Sequence, residues 1–185
     1  MFVELDSKVN KVILGNIIAK VLIETGEGSQ SMEVECSQEV LDHFRYEIDG
    51  DSLVLNVENL KNYSDLSIKI YLNELSVLEN SGVSDCEFDL NSEQASVMVK
   101  NHGVGKISGS GKVDNLELNC TGVGHTSLEG LESANVSVDI TGVGLVKVAP
   151  LNTLKGSITG IGKLEYSGSP EVDVEKGPMC SVKHV

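Results

Sequence analysis

Among the residues able to do chemistry, one step recurs: Ser81-Gly82-Val83-Ser84, His102-Gly103-Val104-Gly105, Thr121-Gly122-Val123-Gly124, Thr141-Gly142-Val143-Gly144 and Thr159-Gly160-Ile161-Gly162. A glycine-rich step that opens a helix can cradle a dinucleotide pyrophosphate on backbone N–H groups. That fingerprint needs a third glycine, and the third position here holds Ser108, Ser127, Lys147 or Glu165. Glycine-rich calcium rolls put an Asp directly after the glycines on a much shorter period. Here Lys106, His125, Leu145 or Lys163 stands there. Nucleotide and repeat-encoded calcium binding are both set aside, and the recurrence itself makes the glycines structural.

The other reactive side chains are scattered. His43, His102, His125 and His184 could serve metal or acid–base chemistry, but no spacing supplies a third partner, so they read as surface or turn residues. Cys36, Cys86, Cys120 and Cys180 contain no C-x-x-C pair, which removes support for a zinc or redox site. Cys86 and Cys120 stand in apolar columns and read as small buried hydrophobes, with disulfide pairing left open. Glu87 and Asp89 could approach the 5–9.5 Å separation of a glycosidase pair, as could carboxylates on stacked rungs. In a sequence with 28 acidic and 14 basic side chains such pairs arise freely, and Asp49, Asp51 and Asp85 with them describe a solvated acidic face. Thr121, Thr141 and Thr159, continued by Ser81 and His102, form a hydroxyl column that could satisfy neighbouring backbone groups or present a polar stripe to a ligand.

What must position these residues is a repeat. First glycines at Gly82, Gly103, Gly122, Gly142 and Gly160 are spaced by 21, 19, 20 and 18 residues. Aligned on them, four residues before stand Leu78, Val99, Leu118, Val138 and Gly156, and four after stand Cys86, Ile107, Thr126, Val146 and Leu164. The residue between the glycines is always aliphatic: Val83, Val104, Val123, Val143 and Ile161. Alternation with period 2 on both sides of each step means two short strands with one buried face. Gly103, Gly105, Gly122, Gly124, Gly142, Gly144, Gly160 and Gly162, with Gly82, would let the chain bend at φ > 0 without Cβ clashes. No single repeat can bury its own face, so the repeats must stack about 4.8 Å apart. The reading is an all-β, right-handed parallel β-helix, or solenoid, of about 20 residues per rung. Its expected core includes Val99, Leu118, Val138, Val104, Val123, Val143, Ile161, Ile107, Val146 and Leu164. Helical repeats need periods above 30 and a 3.6-residue pattern, which is not seen.

The rest is read as one domain. Residues 1–75 supply irregular rungs or a cap, 76–168 the regular turns, and 169–185 a closing cap or tail in which Pro170 suits an edge. The stretches Val12–Ile23, Met32–Cys36, Ser52–Val57 and Leu66–Leu72 read as strands, and Glu39–Tyr46 as one short helix. A net charge of −14 disfavours nucleic acid and anionic membranes as partners. No apolar run reaches the ~18 residues of a membrane span, and the opening residues read as strands rather than a secretory leader.

The [Ser/Thr]-Gly-x-Gly steps at 121–124, 141–144 and 159–162, the spacer Leu131–Ala134 and the closing run Gly160–Val172 resemble the head GIN domain family of bacterial auto-transporter adhesins. Val12–Glu35 is similar to that family's first strands. Two departures stand: Ser84 and His102 replace the usual residues in the first two repeats, and the family's secretory leader is missing. The resemblance implies a β-helical protein outside the cytoplasm, in the periplasm or at the cell surface, with an adhesive or scaffolding role and no catalytic residues. No cofactor or metal is called for. A surface glycan or a protein ligand remains open as partner, as does oligomerisation. Two rivals come from other classes: a carbohydrate-active β-helix enzyme, which requires a cleft with a raised-pKa carboxylate, and a self-assembling structural solenoid.

Overall fold

The computed structural model describes residues 1–6 and 8–185. In chain order the strands are β1 (Phe2–Glu4), β2 (Lys11–Leu14), β3 (Ile18–Thr25) and β4 (Ser31–Glu35), then helix α1 (Gln38–His43). Next come β5 (Phe44–Asp49), β6 (Ser52–Val57), β7 (Ser67–Leu72), β8 (Val77–Asn80), β9 (Val83–Leu90) and β10 (Gln94–Asn101). Three long strands, β11 (Val104–Cys120), β12 (Val123–Ile140) and β13 (Val143–Ile158), precede β14 (Ile161–Tyr166), β15 (Glu171–Lys176) and β16 (Ser181–His184). Together they form a β-solenoid with about 20 residues per rung.

Each rung contributes one strand to each of two walls. The first wall runs β5, β6, β2, β8, β10, then 113–120, 133–140, 153–158 and β15. The second runs β1, β4, β7, β3, β9, then 104–110, 123–128, 143–148, β14 and β16. Pairing is parallel except at the N-terminal end, where β5 lies antiparallel on β6, and β4 antiparallel on β7 and β1. Layer order departs from chain order: the layer of β2 and β3 lies between β8–β9 and the later-arriving β6–β7. Strands β15 and β16 continue the parallel stacking past Pro170.

Alternation sets which side chains go inside. Leu78, Val99, Leu118 and Val138 stack in one buried column, and Cys86, Ile107, Thr126, Val146 and Leu164 in another. Each aliphatic side chain so buried contributes about 1.5–3 kcal/mol. Size is matched between neighbouring layers. Phe88 is fully buried beneath Gly109, where any Cβ would strike its ring. The column two residues before the first glycine begins polar: Asn80 donates to Asn101 Oδ1 at 3.1 Å and accepts from the Ser84 hydroxyl at 2.6 Å. It then turns apolar through Cys120, Ile140 and Ile158.

One group of expected core residues lies elsewhere. Val104, Val123, Val143 and Ile161 are not in the core; they stand on the outer surface, 47–54% exposed. They do neighbour one another along the axis, in register with Val83 and Ile18. The physical reason is parity. Inward positions fall an even number of residues from the first glycine, and the residue between the glycines is one residue away, so it faces out.

Candidate functional site

The repeated corner is built by backbone on backbone. Thr121 N–H and Gly122 N–H both donate to the Asn101 carbonyl, at 3.0 and 2.9 Å, and Val123 N–H donates to Gly103 O at 3.0 Å. Thr141, Gly142 and Val143 repeat the pattern one rung later on Cys120 O and Gly122 O. So tight a stack has no room for a side chain: a Cβ on Gly122 would fall inside contact with the carbonyl oxygen of Gly103. The first glycines are therefore required by the layer beneath rather than by positive φ, which belongs to second glycines such as Gly105 (φ +130).

Because backbone carbonyls satisfy the corner, the hydroxyls of Thr141 and Thr159 are left to face solvent, and that of Thr121 meets the His102 imidazole. All three threonines are exposed, as are Ser81 and His102 in the same column. Beside them runs the outward ridge Ile18–Val83–Val104–Val123–Val143–Ile161, one β-branched side chain per layer. Its far flank is the register column Lys20, Asp85, Lys106, His125, Leu145 and Lys163. The result is a narrow aliphatic stripe with hydroxyls on one side and mixed charge on the other. Neighbouring β-branched residues stabilise a sheet by stacking, but six in file, 38–54% exposed, also form a contiguous apolar surface.

The remaining candidates are kept apart by the fold. His102 Nδ1 lies 2.7 Å from Thr121 Oγ1, within reach for a base and a hydroxyl, but both are exposed and, among the described residues, no carboxylate orients the imidazole. His43 Nδ1 contacts the Glu58 carbonyl, and His184 Nε2 that of Gly168, its ring 5.2 Å from Tyr166. Among the described residues no group of three His, Cys, Asp or Glu is gathered as a metal site would need. All four cysteines are free thiols. Burial pushes Cys86 up to about 12 and raises Cys120 and Cys36, so all three are held as neutral thiols.

Glu87 and Asp89 sit on β9 beside Ser108 and Ser110, and the Ser110 hydroxyl donates to Asp89 Oδ1 at 3.0 Å. Three carboxylates are held below their ordinary values. Asp51 is held there by hydrogen bonding from Lys11, Asp65 by the Ser37 N–H, and Glu165 by Lys163. Each is thus fixed as an anion, opposite to what a general acid needs.

A shallow trough of about 500 Å³ crosses the rungs of the first wall. One side of it is the column Ser96, Asn115, Asn135 and Thr153. The sequence reading did not single this column out, because Asn and Ser at outward strand positions look like ordinary solvated residues.

No helix of the described residues is long and apolar enough to cross a membrane. A family described as "Putative auto-transporter adhesin, head GIN domain" matches residues 11–170. No curated protein matches. Among solved structures, a "putative adhesin" from Bacteroides fragilis is 20% identical, with 100% of this chain and 97% of that chain covered and a TM-score of 0.74. Two more carry the same description. One, from Parabacteroides merdae, is 19% identical, covering 100% and 95% at a TM-score of 0.54. The other, from Parabacteroides distasonis, is 17% identical, covering 100% and 95% at 0.52. At these identities the likeness is one of fold.

Proposed function

The chain belongs to the head GIN domain family of auto-transporter adhesins, and from that membership we propose that it is a non-catalytic adhesion module displayed outside the cytoplasm, binding through its lateral faces. The observation that carries the reading is the aliphatic ridge across six successive layers. An exposed apolar file of this length, in a chain whose net charge is −14, favours a surface kept for contact rather than for solubility. Membership supports the adhesive role and the extracytoplasmic setting.

The test is a binding screen of the purified chain against immobilised extracellular-matrix proteins. It is repeated with the triple substitution Val104→Thr, Val123→Thr and Val143→Thr, which keeps β-branching while removing the apolar surface. Binding should weaken at least tenfold, with thermal stability changed by no more than about 0.5 kcal/mol per substitution, as for surface substitutions generally. A parent chain that binds nothing in the screen, and instead elongates with concentration in light scattering, would replace adhesion by self-assembly.

A further inference from the structure

We infer that the trough on the first wall is a binding site for a neutral linear polysaccharide. The inference rests on the adhesive reading for its setting, but its geometry is independent of the ridge.

The trough lies between two outward columns. One is the ladder Ser96, Asn115, Asn135 and Thr153; the other is Val77, Met98, Glu117, Ser137 and Lys155. Its ~500 Å³ falls in the range of ligand-sized clefts. The ladder is ordered by its own hydrogen bonds. Thr153 Oγ1 donates to Asn135 Oδ1 at 3.0 Å, Asn135 Nδ2 to Asn115 Oδ1 at 3.2 Å, and Asn115 Nδ2 to the Ala95 carbonyl at 3.2 Å. An amide carries two donors and two acceptor lone pairs. Asn115 and Asn135 therefore each keep one donor and one acceptor directed away from the ladder, at the rung spacing of about 4.8 Å.

A fixed alternation of donors and acceptors is complementary to hydroxyls, which do both. A pyranose chain, with roughly one ring per rung, presents hydroxyls in that rhythm. Across the trough, half-buried Val77 and Met98 offer an apolar strip to the C–H face of a sugar ring. Charge is nearly balanced: the Lys11 ammonium at the rim is paired with Asp51 at 2.9 Å, leaving Glu117 and Lys155 opposite in sign. A neutral polymer fits this better than a polyanion. An extended peptide fits poorly, since it would cross the strands where no free sheet edge receives its amides, and its rise of about 3.3 Å is out of step with the rungs.

Affinity electrophoresis of the full chain through gels containing a neutral glucan, xylan or mannan tests the site. The chain should be retarded by at least one of them. Asn135→Leu removes both central ladder bonds, and Ser137→Arg fills the trough while sparing the ladder; each should weaken binding at least tenfold with an unchanged circular dichroism spectrum. The ridge triple variant should be retarded like the parent. Equal retardation of the parent, Asn135→Leu and Ser137→Arg would overturn the proposal, as would no retardation by any of the three polymers. If ridge-dependent binding to a matrix protein survives that result, the trough falls and the adhesive reading stands.

Discussion

The N-terminal layers and the regular turns solve the same problem, satisfying backbone at a corner, by different means. At the regular corners, N–H groups donate to carbonyls one layer down, and glycine follows because nothing larger fits between. In the N-terminal layers side chains are added to backbone bonds such as Gly15 N–H to Leu55 O. Asn56 Oδ1 accepts from Asn16 N–H at 2.9 Å, Tyr63 OH accepts from Ile18 N–H at 2.8 Å, and Asn16 Nδ2 donates to the Val57 carbonyl at 3.2 Å. Buried Gln30 alone joins three segments, donating to Asp6 O at 2.6 Å and Val9 O at 2.9 Å and accepting from Asn73 N–H at 2.7 Å. Identical geometry, once stacked, needs no specific side-chain partner; irregular geometry needs one at each turn.

The sharpest break of this contrast pairs two glycines. Gly122→Ala should cost about 4 kcal/mol or more, since the obstacle is a backbone carbonyl that cannot move aside. Gly26→Ala in the N-terminal part meets nothing within 4 Å and should be neutral or slightly stabilising. Urea midpoints separate the two. Next comes the size match inside the regular turns. Phe88→Ala should lose about 3–5 kcal/mol. Gly109→Ala should be harmful in the parent yet tolerated over Phe88→Leu, giving a coupling of about 0.5–3 kcal/mol in a double-mutant cycle.

In the irregular part, Gln30→Leu should cost about 1–3 kcal/mol through the polar groups it leaves unpaired, and hydrogen exchange should rise at Asn73 first. The smallest effect is in acid. Asp51 and Asp65 have folded pKa values below their unfolded ones. The stability they lend is complete above about pH 4 and is lost as pH falls through the folded values. Glu165 gives the regular turns one such group. On acidification, exchange should therefore increase around Lys11, Ser37 and Lys163, and Asp51→Asn should abolish the change at Lys11.

The contrast also marks what could be read from sequence. The regular turns were legible because a period fixes register: once the glycines align, the columns of Val99, Leu118 and Val138 and of Ile107, Val146 and Leu164 follow. Strands such as 52–57 and 67–72 were legible from alternation alone, but their partners were not. Their pairing depends on single staples such as Asn56, Tyr63 and Gln30, which no recurrence announces. The ridge was misread although the signal was present. Counting parity through the corner puts Val104, Val123, Val143 and Ile161 outside with the threonines; their aliphatic character, common to β-strands on either face, argued the other way. The Asn115–Asn135–Thr153 ladder gave no signal, because outward amides become distinctive only when the register brings them into line.

The placement of β6 and β7 beneath β2 and β3 changes what a terminus means in this molecule. In a solenoid wound strictly in order, shaving residues from the front trims an outer coil and leaves the remainder whole. Here β2 and β3 are sandwiched, although β1 lies at the outer end of its wall, so an N-terminal truncation past Thr25 would excise an interior layer and leave two blocks facing an empty slot. Assembly inherits the same asymmetry: the early strands stay half-covered until the chain has returned twice, once on each side, so the first 90 residues must be laid down together before orderly coil-by-coil growth begins.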